Sequence, residues 1–139
     1  MKFQLHPVLA RDTLAVASLD VSELLLMNDA RFPWCILVPR VPDISEWHHL
    51  PEELQGTVMS EISAVSSILE TLPGITKLNV GALGNRVPQL HIHVLGRHPD
   101  DAAWPDPVWG YGTPERYATD AAEDFVARLQ VALTNQASA

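Results

Sequence analysis

The chain has 139 residues, 47% of them apolar and 19% charged, with a formal net charge of −8. That length and balance suit one globular domain, taken here as residues 1–139, and argue against disorder. The acidic surface and the lack of a Lys/Arg stripe argue against duplex nucleic acid as a partner, and no apolar run approaches the length of a membrane span.

Residues 13–19 and 22–27 read as a pair of strands around Asp20, and Asn28-Asp29-Ala30-Arg31-Phe32-Pro33 as a turn. Residues 34–38, Trp-Cys-Ile-Leu-Val, form a continuous apolar run of strand length that Pro39 ends. Cys35, the only cysteine, is expected there as a buried, inert thiol, which excludes an internal disulfide. With no stretch of signal-peptide length near Met1, the expected location is the cytoplasm. Residues 43–48 suggest a short helical turn capped by Asp43.

The clearest helix opens at Pro51, a residue suited to a first helical position, with Glu52 and Glu53 at the positive end of the helix dipole. Leu54, Val58, Ile62, Val65, Leu69 and Leu72 follow at spacings of three and four, and Pro73-Gly74 stops the run. Residues 75–80 read as a strand, 81–88 as a loop, 89–97 as another strand and 98–112 as an irregular, proline-rich segment. A last helix is predicted from Thr113, as cap, burying Ala121, Phe125, Leu129 and Leu133. Short strands with one long intervening helix favour an α+β domain with a largely antiparallel, five-stranded sheet, one long helix and one C-terminal helix.

The chemistry concentrates in Gln89-Leu90-His91-Ile92-His93-Val94-Leu95. In an extended strand Gln89, His91 and His93 share one face and Leu90, Ile92 and Val94 the other, with the histidine Cα atoms about 7 Å apart. A face of donors and acceptors reads as the floor of a site. Upstream lies Asn79-Val80-Gly81-Ala82-Leu83-Gly84-Asn85-Arg86-Val87-Pro88. Gly81 and Gly84 permit close backbone approach to a ligand, while Asn79 and Asn85 add neutral donors for an anionic oxygen. A neutral imidazole beside such donors is a competent nucleophile toward phosphorus, provided its other ring nitrogen donates to a fixed acceptor; a backbone carbonyl on the same strand is a candidate.

These segments resemble the histidine triad (HIT) family of nucleotide hydrolases and transferases, whose signature is His-φ-His-φ-His-φ-φ with φ apolar. The resemblance spans roughly residues 10–100 and places Gln89 where the family has its first histidine. It implies that His91 is the nucleophile attacking an α-phosphorus, that His93 contacts the phosphate and bridging oxygen, and that Asn85 and Asn79, with the Gly84 loop, bind the phosphoryl group. It implies a small-molecule nucleotide as ligand, of dinucleoside polyphosphate or nucleoside phosphoramidate type, a homodimer, no cofactor and no metal. Gln89 can donate and accept hydrogen bonds but cannot carry a proton at neutral pH, so turnover depends on whether the first position only orients its neighbour.

Two rival readings remain open at this stage. His91 and His93 could ligate a divalent metal with Asp100, Asp101 or His98 as third ligand, or the chain could bind nucleotides with little catalysis. Arg97 and His98 are expected in solvent, His48 and His49 on the surface, and His6 near a frayed terminus. Trp104 and Trp109 either cover the pocket or pack against the domain, whereas Phe32 and Trp34 either flank a base or, better for Trp34, fill the strand core.

Overall fold

A computed structural model describes residues 2–138. In chain order it contains α1 (Pro7–Asp12), β1 (Thr13–Ser18), β2 (Ser22–Met27), β3 (Trp34–Pro39), a 3-10 turn (Trp47–His49), α2 (Glu52–Glu70), β4 (Lys77–Gly81), β5 (Ile92–Arg97) and α3 (Thr119–Ala137). The strands form one sheet in the order β1-β2-β3-β5-β4, and every neighbouring pair is antiparallel. The α+β expectation holds.

Both faces of the sheet are covered, which is why β3 and β5 are buried along their whole lengths. On one face Leu24, Leu26, Cys35, Leu37, Ile92 and Val94 meet Val58, Ile62, Val65 and Leu69 of α2 and Phe125 and Leu129 of α3. The stripe read from the sequence is this contact, and each fully buried aliphatic side chain in it contributes about 1.5–3 kcal/mol. On the other face Leu25, Trp34, Ile36, Val38 and Leu95 are covered by Leu9, Phe32, Ala103 and Val108.

Several boundaries differ from the sequence reading. The histidine strand begins at Ile92, not Gln89, because its ladder with β3 ends at Leu37↔Ile92 and its ladder with β4 at Gly81↔His93. Leu90 instead donates its amide to the Ile44 carbonyl. The β4 strand is shifted to Lys77–Gly81. Asp43 has φ +60°, a left-handed conformation that cannot begin a helix, and the short turn forms later, at Trp47. Helix α2 starts at Glu52, with Pro51 as the residue before it, and past its end Gly74 takes φ +80°.

The last helix starts at Thr119 rather than near Thr113. Residues 113–118 stay outside the helix where Asn28 and Asp29 capture two of their amides: Tyr117 N donates to Asn28 Oδ1 at 2.9 Å and Glu115 N to Asp29 Oδ1 at 3.3 Å. The helix buries Phe125 and Leu129 as expected, with Ala122 rather than the exposed Ala121 on the same stripe. The sequence reading also missed α1. His6 is not frayed but caps this helix, its Nδ1 accepting from Val8 N at 3.1 Å.

Candidate active site

His93 lies in β5 opposite Ile36 on one side and Gly81 on the other. Trp34, on β3, donates its indole Nε1–H to His93 Nδ1 at 2.9 Å. An indole N–H can only donate, so Nδ1 must accept and the neutral ring carries its proton on Nε2. Burial, followed by repulsion from His91, pushes the His93 pKa down to about 3. Trp34 is therefore both core and site: it is 7% exposed and fixes the tautomer of a histidine.

His91 has the opposite tautomer. Its Nδ1 lies 2.7 Å from the Gln89 carbonyl oxygen. A carbonyl can only accept, so Nδ1 carries the proton and Nε2 keeps a free lone pair. Burial lowers the His91 pKa, the bond to the Gln89 carbonyl opposes that shift, and repulsion from His6 adds to it. Both rings are thus held neutral, with centroids 4.9 Å apart at 65°. One ring offers a lone pair and the other a donor.

The two histidines line a cavity of about 420 Å³ together with Gly84, Asn85, Arg86 and Trp109. Gly84 has φ +73°, which a side chain would strain, so the loop turns tightly beside the rings. A neighbouring cavity of about 380 Å³ shares Met27 and Trp34 with the first and is walled by Asn28, Asp29 and Arg116. The local donors Asn85 and Arg86 give an acidic chain a place for an anion. The sequence motif assigns Arg86 no role, although its place in a glycine loop just before the histidines points to one.

Trp109 stands edge-on to His93, with ring centroids 5.4 Å apart, and its ring covers Gly81, where an added Cβ would lie 3.4 Å from the indole. The segment carrying Trp109 is anchored by Arg97. Far from being solvated, Arg97 is 2% exposed. Its Nε and Nη2 donate to both carboxylate oxygens of Asp101, at 2.6 and 3.0 Å. Its Nη1 donates to Asn79 Oδ1 and its Nη2 also to the Asp106 carbonyl, both at 2.8 Å. Burial alone would raise the Asp101 pKa; the Arg97 fork and the amides of Ala103 and His98 outweigh it and hold the carboxyl below the usual range.

The structure therefore brings His91, His93, Gly84 and Asn85 to one cavity and leaves Asn79 beside Arg97. Gln89 also lies off that cavity. Its side chain turns to the N-terminal segment, and only its carbonyl serves His91. Asp101, offered as a metal ligand in the rival reading, is taken by Arg97, and among the described residues no group of three or more His, Cys, Asp or Glu side chains is placed to hold a metal ion. Burial pushes the Cys35 thiol up to about 12, in keeping with an inert side chain. His48 and His49 are exposed.

The HIT domain family model matches residues 10–100. The chain belongs to the HIT domain family. It is 45% identical to a histidine triad protein of Marinobacter aquaeolei, covering 97% of this chain and 98% of that one, with a TM-score of 0.93. It is 42% identical to a histidine triad protein of Bradyrhizobium japonicum, with 94% and 98% covered and a TM-score of 0.91. It is 40% identical to a histidine triad (HIT) protein of Sinorhizobium meliloti, with 93% and 96% covered and a TM-score of 0.90. No curated protein gives a significant match. HIT membership places the chain in a superfamily of nucleotide-binding hydrolases and transferases. Among the described residues no helix is long and apolar enough to cross a membrane.

Proposed function

We propose that this HIT protein is a nucleotide phosphohydrolase or nucleotidyl transferase that works through a covalent nucleotidyl-histidine at His91. The observation that carries the reading is the pair of opposed tautomers: the His91 Nδ1–H is spent on the Gln89 carbonyl, and the His93 Nδ1 on the Trp34 indole. Burial keeps the His91 ring neutral, the bond to the Gln89 carbonyl leaves its Nε2 lone pair free, and a donor stands beside it.

The step is an in-line displacement at an α-phosphorus. The His91 Nε2 lone pair forms an N–P bond as the bond from phosphorus to the leaving oxygen or nitrogen breaks. His93 Nε2–H donates to the bridging atom as charge develops there, and Asn85, Arg86 and the Gly84 loop bind the non-bridging oxygens. Water then attacks the same phosphorus and gives up a proton to solvent, the N–P bond breaks, and a nucleoside monophosphate leaves with the neutral His91 imidazole restored. Dinucleoside polyphosphates and nucleoside phosphoramidates are the substrate types of this reading. The adjoining cavity beside Asn28 and Arg116 offers room for the part of such a substrate lying beyond the phosphate.

The test is incubation with a diadenosine polyphosphate and with an AMP-amidate, wild type beside His91→Ala, in EDTA. The expected result is AMP as product, turnover lost in the variant and rates unaffected by the chelator. Equal rates in the two proteins overturn the assignment.

The reading includes a homodimer in the cytoplasm. Strand β4 lies at a sheet edge, and Val80 on it and Leu83 after it are 50% and 44% exposed, which suits burial against a second copy. Sedimentation at twice the 15.3 kDa chain mass is expected, and sedimentation at the single mass counts against it.

A further inference from the structure

The carbonyl that fixes His91 belongs to a residue that the sheet does not hold. Gln89 precedes the first laddered residue of β5, so neither β3 nor β4 restrains its backbone. The peptide plane that carries this carbonyl is held on its other edge by the Leu90 amide, which donates to the Ile44 carbonyl at 3.0 Å, and the Gln89 side chain adds a second anchor. Gln89 Oε1 accepts from His6 N at 2.9 Å, and Gln89 Nε2 donates to the Gln4 carbonyl at 2.8 Å. One carboxamide thus pairs with two backbone groups of the N-terminal segment, as an adjacent strand would. The segment is fixed in turn by Phe3 and Leu5, which pack on the same core cluster as Trp34 and Trp109, and by buried Leu9 in α1.

We infer that Gln89 is a positioning residue: its side chain latches residues 4–6 against the site, and this latch, together with the Leu90 amide's bond to the Ile44 carbonyl, holds the Gln89 carbonyl that sets the tautomer and aim of His91. The chemistry of the group fits the task. The latch needs one acceptor and one donor at the end of a three-bond side chain. Glutamine supplies both, glutamate lacks the donor, and asparagine is one methylene short. A proton-carrying group at position 89 is not required for this role. The N-terminal segment is in consequence part of the active-site scaffold.

The structural half of the inference stands apart from the proposed reaction, and its effect on rate rests on that reading. The test therefore has two readouts on the full chain. Long-range 1H–15N spectra report the His91 tautomer, and kinetics on an AMP-amidate separate kcat from KM. Gln89→Ala and Gln89→Glu remove both or one of the latch bonds. His6→Pro removes the N–H that Gln89 accepts, at a residue whose φ of −56° proline tolerates. His6→Ala keeps that N–H and loses the α1 cap and the imidazole's repulsion of His91, so it controls for the imidazole.

Wild type and His6→Ala are expected to show the single Nδ1–H form of His91. Gln89→Ala and His6→Pro are expected to populate the Nε2–H form and to lower kcat by about tenfold to a hundredfold with KM little changed. Combining them is expected to cost no more than either alone, because each breaks the same latch. A Gln89→Ala protein with an unaltered His91 tautomer overturns the inference. A shifted tautomer in a protein with no activity on any nucleotide upholds the latch and overturns the reaction instead.

Discussion

The indole Nε1–H of Trp34 and Nδ1 of His93 meet at 2.9 Å, both side chains nearly sealed from solvent. This bond decides what His93 can offer a ligand. With Nδ1 occupied as an acceptor, the neutral ring can only present Nε2–H, the complement of the lone pair on His91.

Trp34→Phe keeps the aromatic packing and deletes the donor. Losing a buried hydrogen bond and leaving its acceptor unpaired costs about 1–3 kcal/mol of stability. The larger expected effect is on chemistry. Released from the indole, His93 can place its proton on either nitrogen, and the fraction presenting Nε2–H falls. We expect the His93 Nε2–H signal to split or broaden in 1H–15N spectra and kcat to fall with KM little changed. A variant that is destabilised but catalytically intact refutes the role given to the bond.

The depressed histidine pKa values set a stability window. In the unfolded chain an imidazole titrates at about 6.5, whereas in the fold burial holds His93 down to about 3 and lowers His91. Between those values the unfolded state binds protons that the folded state refuses, so stability is full above the unfolded pKa and is lost as pH falls. At pH 5 His93 alone is expected to cost about 2 kcal/mol relative to pH 7. Urea denaturation at the two pH values checks this, with His93→Gln expected to remove most of the difference. The carboxylates held low, Asp29 and Asp101 among them, add their own loss as pH drops further, into the ordinary carboxylate range and below it.

The side chains of Arg97 and Asp101, each 2% exposed, make the third test. Removing one partner strands the other charge in the interior, so Arg97→Met or Asp101→Leu is expected to cost about 3–5 kcal/mol. The double variant, with both charges gone, is expected to recover much of that loss. Because the pair anchors the segment that sets Trp109 on His93, the double variant is also expected to show altered Trp109 fluorescence and weaker nucleotide binding. Wild-type binding in a stable double variant counts against that anchoring role.

The parts of the fold legible in sequence were those with a long periodic signal. Helix α2 announced itself through six apolar residues at helical spacing, and β3 through an unbroken apolar run between a turn and Pro39. The histidine pair was legible because alternation set it on one face beside a glycine loop, and the backbone acceptor for His91 followed from the chemistry a nucleophile needs. What stayed hidden depended on distant partners. Six residues of α1 are too few for a stripe. The start of α3 moved because Asn28 and Asp29, nearly ninety positions earlier, hold the amides of residues 115 and 117. Arg97 reads as a solvated strand end until Asp101 and Asp106 curl back onto it. The side chain of Gln89 gave no local hint that its partners were residues 4 and 6.

Gly96 tests how closely the site-bearing strand is packed from outside the site. It sits in β5 between His93 and Arg97, and its amide donates to the Pro33 carbonyl at 3.0 Å. A Cβ added there would stand 3.0 Å from Ile75 Cδ1 and 3.1 Å from Pro33 Cγ. The proline is part of a turn and cannot rotate away, so Gly96→Ala must push β5 or displace Ile75. Overpacking of this kind costs about 1–3 kcal/mol. Ile75→Val deletes the nearest atom and is expected to restore part of the loss when combined with Gly96→Ala, as read by thermal or urea denaturation. Additive losses in the double variant would mean that the clash is with the turn alone. Movement of the strand would also be felt at His93, three residues away, so a fall in activity is expected to accompany the loss of stability and to be relieved with it.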